Sequence, residues 1–299
     1  PAMLTRPIPR SGEPLPAVGL GTWQTFDVGA SAAERSPLEE VLRRFLDGGG
    51  RVVDSSPMYG RAEAVVGEAL ASLGHRAVPF LASKVWTTGR SAGEAQMRES
   101  MRRLRAERLD LLQVHNLLDW ETHLPLLRDW TATGRLRYVG VTHYSPGAFA
   151  LMERLLRTER LDFVQLPYSL ATREAERRLL PAAAETGTAV LVMRPFEEGG
   201  LFRAVRDKPL LVVDLWAPWC GPCRMVAPVI EELSAEFAGR IGFGKLNTDE
   251  NQHLARTYGI TAIPTIMLFA RGGLVEKVVG AYPKQILRDR ILRAFGMMG

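Results

Sequence analysis

The 299-residue chain has two cysteines, and both lie in one Cys-x-x-Cys motif formed by Cys220, Gly221, Pro222 and Cys223. This spacing is typical of redox dithiols and of one half of many zinc sites. The sequence has no second cysteine pair to complete a zinc site, and its five histidines show no zinc-binding spacing. The motif therefore predicts a redox dithiol, and we expect no metal site.

The dithiol follows an apolar run, residues 210–217, and opens a stretch with helical periodicity. Unpaired N–H groups at a helix N-terminus favour a thiolate, so we expect Cys220 to attack with a lowered pKa and Cys223 to resolve. Asp214 interrupts the apolar run, where an unpaired carboxylate is costly. We interpret Asp214 as the proton acceptor of Cys223. The alternative is a carboxylate at a strand end that faces water.

Residues 207–299 predict a compact α/β unit with the order βαβαββα, which can bury a core of its own. The predicted strands are 210–217, 241–247, 263–269 and 274–279, and the predicted helices are 220–237, 252–258 and 283–295.

This part of the chain resembles thioredoxin almost to its last residue. The likeness rests on Trp219 and the dithiol motif, Pro228, Lys245-Leu246-Asn247-Thr248-Asp249, Ile263-Pro264-Thr265 and Gly280. It implies a minimal thioredoxin fold that lacks the family's first strand and helix. It also implies reduction of disulfide-containing proteins, with electrons from an upstream reductase such as thioredoxin reductase.

The same resemblance implies further site features. A cis peptide bond is expected before Pro264, and Lys245 is expected to pair with Asp214. No cofactor is implied beyond the redox-active disulfide Cys220–Cys223. The implied substrate-binding residues are Trp219, Gly221, Pro222, Ile263, Pro264 and Gly280.

The use of basic residues changes near residue 207. Lys84 is the one lysine among residues 1–206, whereas residues 207–299 contain four. The change falls just after a glycine-rich turn at residues 197–200. We therefore predict two domains, residues 1–206 and 207–299.

Residues 1–206 alternate short apolar runs with amphipathic stretches, a rhythm typical of parallel strands joined by helices. This repeat predicts a barrel of the triosephosphate isomerase type, which needs eight strands. The sequence offers seven, and the predicted fold is an incomplete (β/α)8 barrel. The predicted strands are 18–23, 51–56, 79–86, 109–116, 136–143, 163–169 and 189–196, and the predicted helices include 38–47, 62–73, 92–105, 145–158 and 173–185.

Side chains suited to proton transfer follow three successive strands of this barrel. Asp54 and Tyr59 follow the second strand, Lys84 ends the third and His115 ends the fourth. Barrel enzymes gather their catalytic residues at these strand ends. The solitary Lys84 suggests that a compact ammonium is needed there, because arginine cannot replace it in proton transfer. The alternative for Lys84 is an ordinary surface position.

These residues make the N-terminal part similar to the aldo-keto reductases, from Gly19-Leu20-Gly21-Thr22-Trp23 to about residue 202. The resemblance implies reduction of a small carbonyl substrate by NADPH. Tyr59 would be the general acid, Lys84, paired with Asp54, would lower the Tyr59 pKa, and His115 would orient the carbonyl. Thr142, His143 and Gln165 would hold the nicotinamide carboxamide, with His143 in the place of the family's usual asparagine.

We expect weak NADPH binding, because the family's phosphate-binding loop and helix follow an eighth strand that is missing here. Residues 210–217 could imitate that strand, but they are also the central strand of the predicted thioredoxin sheet and carry Asp214. We assign them to the thioredoxin sheet. The barrel is then unclosed, with two edge strands.

Composition excludes several classes of protein. The net charge of +5 is spread along the chain without an aromatic-interleaved basic patch, so we expect no nucleic-acid partner. No apolar stretch approaches the roughly 18 residues of a membrane span, so we expect no membrane partner. Two cysteines without a disulfide framework favour a reducing cytoplasm.

Three functional hypotheses follow. The preferred one is a thioredoxin-type disulfide reductase that carries a truncated reductase scaffold. The second is a bifunctional enzyme that also reduces aldehydes or ketones with NADPH. The third is a recombined or non-natural chain whose barrel part serves only as a scaffold or docking surface.

Overall fold

The computed structural model describes residues 3–74, 79–199 and 210–297, apart from the His253 side chain. The chain divides into two compact units, Pro1–Pro195 and Phe196–Gly299. The domain boundary predicted between residues 206 and 207 lies outside the described residues.

The first unit is built on a curled sheet of seven parallel strands in sequential order, as the alternating pattern predicts. Each strand is a short apolar run, and the central strands are buried along most of their length. The strands are β3 (Gly19–Gly21), β4 (Val52–Asp54), β5 (Phe80–Val85), β6 (Leu109–His115), β7 (Leu136–Thr142), β8 (Phe163–Pro167) and β9 (Ala189–Met193).

Helices connect these strands and cover them with their apolar faces. The first helix begins six residues before the predicted position 38, because the Ser31 side chain accepts a hydrogen bond from the Glu34 N–H and caps the helix. The helices are α1 (Ala32–Asp47), α2 (Ala62–Leu73), α3 (Arg90–Leu104), α4 (Trp120–Ala132), α5 (Phe149–Thr158) and α6 (Leu179–Thr186).

A hairpin that the sequence patterns do not predict precedes the sheet. Strands β1 (Thr5–Pro7) and β2 (Pro14–Pro16) pair in an antiparallel register. Ile8 and Leu15 pack in a buried cluster that includes Val52 and Phe80, the first residues of β4 and β5. The hairpin therefore covers the N-terminal end of the sheet.

The sheet is not closed within the described residues, where β3 pairs only with β4 and β9 only with β8. Residues Leu210–Trp216 form β10, which belongs to the second unit. The assignment of this run to the thioredoxin sheet is confirmed.

The second unit contains a four-stranded sheet in the order β11-β10-β12-β13. Strand β10 pairs in parallel with β11 and antiparallel with β12, which places it in the centre. The predicted order βαβαββα is confirmed. The remaining elements are α7 (Gly221–Glu236), β11 (Gly242–Asn247), α8 (Gln252–Thr257), β12 (Thr265–Ala270), β13 (Gly273–Val279) and α9 (Lys284–Ala294).

Candidate active sites

The dithiol lies where β10 ends and α7 begins. Cys220 is the N-cap residue of α7, and its Sγ accepts a hydrogen bond from the Cys223 N–H at 3.2 Å. The two sulfur atoms form a disulfide, and both cysteines are buried. In the reduced state, the N-terminal position of Cys220 favours its thiolate form.

Asp214 lies in the middle of β10 and is 1% exposed. Its Oδ1 atom has no hydrogen-bond partner among the described residues. Burial raises the pKa of Asp214 to about 6, and the positive charge of Lys245 opposes this rise. A carboxyl group with such a pKa takes up and releases a proton near neutral pH.

The expected pairing of Lys245 with Asp214 is only partly right. The two residues are direct neighbours in the parallel register of β10 and β11. The Lys245 ammonium, however, donates to the Glu231 carboxylate at 3.2 Å, and the lysine side chain is exposed. Lys245 therefore acts on Asp214 through its charge and not through a described hydrogen bond. Lys245 lies on β11, the outer strand of the sheet. Its long side chain therefore reaches the exposed carboxylate of Glu231 on α7 more easily than the buried carboxylate of Asp214.

One group of residues expected to bind a substrate segment is centred on Ile263, beside the dithiol. Ile263 packs against the cluster that contains both cysteines, and the Ile263–Pro264 peptide bond is cis, as expected. The Gly280 N–H donates to the Pro264 carbonyl at 2.8 Å, which places these two residues side by side.

Trp219 is 69% exposed, although its indole N–H donates to the Asp249 carboxylate at 3.0 Å. Pro222 is also exposed and Gly221 is half-buried. An apolar, partly exposed surface therefore adjoins the dithiol.

In the first unit, Lys84 and Asp54 form a buried ion pair at the C-terminal ends of β5 and β4. The Lys84 ammonium lies 2.8 Å from both Asp54 carboxylate oxygens and 2.8 Å from the Ser55 carbonyl oxygen. Burial lowers the pKa of Lys84, but its electrostatic and hydrogen-bond interactions with Asp54 and Tyr59 raise it by more, so the net shift is upward. Lys84 is therefore charged at neutral pH.

Tyr59 lies beside this ion pair, with its ring centre 5.0 Å from the Lys84 ammonium. Burial raises the pKa of Tyr59, and Lys84 only partly offsets that rise. Lys84 therefore lowers the pKa of Tyr59, as expected, but the loss of hydration outweighs that effect and the net shift is upward. Tyr59 keeps its proton at neutral pH, as a general acid must.

His115 completes the cluster of four residues expected from the sequence. Its ring lies edge-on to Tyr59, with 5.8 Å between ring centres. Burial, followed by the charge of Lys84, lowers the pKa of His115 to about 3. The imidazole is therefore neutral. Its Nδ1 lies 3.0 Å from the hydroxyl of Ser56, a residue that was not predicted as part of the site.

The three residues expected to hold a nicotinamide carboxamide lie near one another, with Thr142 at the end of β7, His143 directly after it and Gln165 on β8. Thr142 is the register partner of Gln165, and the His143 N–H donates to the Gln165 carbonyl at 3.3 Å. His143 Nδ1 accepts from the Ser145 N–H at 3.0 Å, which leaves its Nε2 as the donor of the neutral ring.

Gln165 is already engaged within the protein. Its amide nitrogen donates to Asp54 at 3.1 Å, and its amide oxygen accepts from the Gln113 amide nitrogen at 3.1 Å. Gln113, which was not predicted as a site residue, is fully buried on β6, two residues before His115. The signal was present, because residues two apart on a strand share a face.

Among the described residues, no group of three or more histidine, cysteine, aspartate or glutamate side chains is arranged to hold a metal ion. Over the same residues, no helix is both long enough and apolar enough to span a bilayer.

Both units are similar to known proteins. A family model described as thioredoxin matches residues 195–293. The thioredoxin of Synechocystis sp. is 57% identical over 81 residues, which cover 27% of this chain and 76% of that protein.

Solved structures of aldo-keto reductases resemble the fold. One from Klebsiella pneumoniae, in complex with NADP and acetate, has a TM-score of 0.56 and 27% identity over 79% of this chain and 81% of its own. A thermostable aldo-keto reductase in complex with the inhibitor epalrestat has a TM-score of 0.58 and 20% identity over 87% of this chain and 95% of its own. The chain therefore belongs to the thioredoxin family through its C-terminal unit, which follows an N-terminal unit with the fold of an incomplete aldo-keto reductase barrel.

Proposed function

We propose that the protein reduces disulfide bonds in other proteins through Cys220 and Cys223. The observation that carries this proposal is the position of Cys220 at the N-cap of α7, where its sulfur accepts the Cys223 N–H. This position stabilises a thiolate, which is the form that attacks disulfides.

The reaction transfers two electrons. The Cys220 thiolate attacks one sulfur of the substrate disulfide, which forms a mixed disulfide and releases the first substrate thiolate. The Cys223 thiolate then attacks the Cys220 sulfur, which forms the Cys220–Cys223 disulfide and releases the second. An upstream dithiol reductase, such as thioredoxin reductase, returns two electrons to the pair.

Asp214 takes the proton of Cys223 in the second step. Asp214 is suited to this role by its burial in β10 and by a carboxylate oxygen without a described hydrogen-bond partner. Lys245 tunes Asp214 through its charge.

The substrate segment binds on the surface formed by Trp219, Gly221 and Pro222 on one side and Ile263, Pro264 and Gly280 on the other. Such a surface suits an extended, partly apolar peptide. We place this activity in a reducing compartment, the cytoplasm.

The direct test is turbidimetric reduction of insulin with dithiothreitol as the electron source. We expect the protein to accelerate precipitation of the insulin B chain far above the dithiothreitol background. A rate equal to that background would contradict the proposal.

A second candidate function, NADPH-dependent reduction of a small carbonyl compound, is favoured by the assembled cluster of Asp54, Tyr59, Lys84 and His115. Thr142 and the His143 Nε2 donor fit a carboxamide, whereas Gln165 would have to leave Asp54 to bind one. NADPH would supply a hydride when bound. Tyr59 would donate a proton to the carbonyl oxygen, and His115 would orient that oxygen.

We propose that this second function is impaired. After β9, the next described strand is β10, which lies in the other sheet, so no eighth barrel strand leads into a phosphate-binding loop within residues 3–74, 79–199 and 210–297. The N-terminal unit then serves as a scaffold for the dithiol unit.

A further inference from the structure

Ser56 contacts His115 across 59 residues of sequence. The Ser56 Oγ lies 3.0 Å from His115 Nδ1, and Ser56 is fully buried. The geometry of this contact allows either atom to be the donor. The other hydrogen bonds of Ser56 and His115 therefore determine which of the two atoms carries the proton.

The hydrogen bonds of Ser56 leave one acceptor for its hydroxyl proton. Its oxygen already accepts the Met58 N–H at 3.2 Å. A hydroxyl has one proton to donate. Among the described residues, the other hydrogen-bond partner of this hydroxyl is His115 Nδ1.

The inventory of His115 agrees with this assignment. The imidazole is neutral, since burial and Lys84 lower its pKa to about 3. A neutral imidazole carries one N–H and one bare nitrogen. If Nδ1 carried the proton, the Ser56 hydroxyl proton would be buried without an acceptor, at a cost of about 1–3 kcal/mol.

We propose that Ser56 is a positioning residue that holds His115 in the tautomer with the proton on Nε2. That tautomer presents an N–H donor, which suits a ligand oxygen that accepts a hydrogen bond, such as a carbonyl oxygen. The other tautomer would present a bare nitrogen and would repel such an oxygen. The inference deepens the second candidate function, but the tautomer belongs to the unliganded protein, so it is tested without substrate or NADPH.

The experiment is two-bond ¹H–¹⁵N correlation NMR on protein labelled with [¹⁵N]histidine, at pH 7. A His115→Gln variant identifies the His115 signals by their loss. We expect wild-type His115 to show a protonated Nε2 and an unprotonated Nδ1. A protonated Nδ1 in the wild-type protein overturns the proposal, whatever the variants do.

Two variants separate positioning from a general effect of burial. In Ser56→Ala, the ratio of the two tautomers is expected to change at least about fivefold, as expected for one lost hydrogen bond. Ser55→Ala is the matched control, because it removes a neighbouring buried hydroxyl that contacts Thr22 and not His115. An unchanged ratio in Ser56→Ala, or an equal change in Ser55→Ala, overturns the proposal.

If Ser56→Ala does not fold, Ser56→Thr keeps the hydroxyl and must keep the wild-type tautomer. Absence of carbonyl reductase activity would contradict the second candidate function and would leave the tautomer assignment intact. The two outcomes are therefore distinguishable.

Discussion

The ammonium of Lys84 lies 2.8 Å from each carboxylate oxygen of Asp54, and the lysine side chain is 1% exposed. Breaking a buried ion pair from one side leaves a charge without compensation, which typically costs about 3–5 kcal/mol. We therefore expect Asp54→Asn to destabilise the N-terminal unit by about this amount. Urea unfolding measures this loss of stability. Because the disulfide lies in the C-terminal unit, the unfolding transition of the N-terminal unit is the one whose midpoint stays the same when a disulfide reductant is added.

Glu99→Gln is the control for that measurement. Glu99 pairs with Arg102 and Arg103 on the solvent-facing side of α3, and solvent-exposed ion pairs contribute little to stability. Equal losses in the two variants would mean that burial does not make the Asp54–Lys84 pair special.

The two cysteines are expected to fail in different ways when each is replaced by serine. Cys220→Ser should abolish insulin reduction, because the attacking thiolate is gone. Cys223→Ser should accumulate a mixed disulfide with substrate, since no thiol remains to resolve it. Mass spectrometry of the protein after reaction with a disulfide peptide detects the adduct. Undiminished turnover in Cys220→Ser would refute the proposed function.

Asp214 should make the stability of the oxidised C-terminal unit depend on pH. The folded-state pKa of about 6 lies above the ordinary value of 3.8, so the folded unit binds more protons than the unfolded chain between these values. Stability due to the neutral carboxyl is therefore fully present below pH 4 and is lost as pH rises through 6. Asp214→Asn removes this loss, and we expect it to stabilise the unit above pH 6 by roughly 2–3 kcal/mol.

Thermal or urea unfolding from pH 4 to pH 8 tests this prediction. The difference between Asp214→Asn and wild type should shrink towards pH 4. Glu250→Gln, at an exposed position, should show no such trend. A constant difference across the whole range would mean that Asp214 is not the group that titrates.

NADPH is expected to bind weakly, and carbonyl reduction is expected to be slight or absent. Positioning of reacting groups supplies roughly 7–11 kcal/mol of barrier reduction. The nicotinamide is positioned only if the phosphates of NADPH are bound, and the described strands do not lead into a phosphate-binding loop. Fluorescence titration with NADPH and an assay on an aromatic aldehyde measure both effects. Micromolar binding with activity that Tyr59→Phe abolishes would establish the bifunctional hypothesis.

Much of the fold and of the sites could be predicted because their signals are local. The seven parallel strands are short apolar runs, and Asp54, Lys84 and His115 lie at or next to the C-terminal ends of three of them. Cys220 and Cys223 share one motif, so their geometry follows from a single helix start. The β1–β2 hairpin escaped prediction because three-residue strands with a proline at three of their four ends do not show strand periodicity.

Contacts between distant residues could not be predicted. Ser56 meets His115 across 59 residues, and Gln165 reaches Asp54 across 111. No spacing rule links such pairs, because the curl of the sheet brings them together. Lys245 illustrates a different limit, since its strand register with Asp214 did not determine which carboxylate its flexible side chain would contact.

Cys220 and Cys223, which form the disulfide, are the two cysteines of the 299-residue sequence, so thiols can arise only from this pair. Titration of thiols on the denatured chain therefore reads two per molecule for the reduced dithiol, zero for the internal disulfide and one for a mixed disulfide with an external thiol. Intramolecular scrambling with a third thiol is excluded within these residues. The ratio of the two-thiol form to the zero-thiol form accordingly reports the redox poise of a thiol buffer, and no further cysteine has to be removed by mutation.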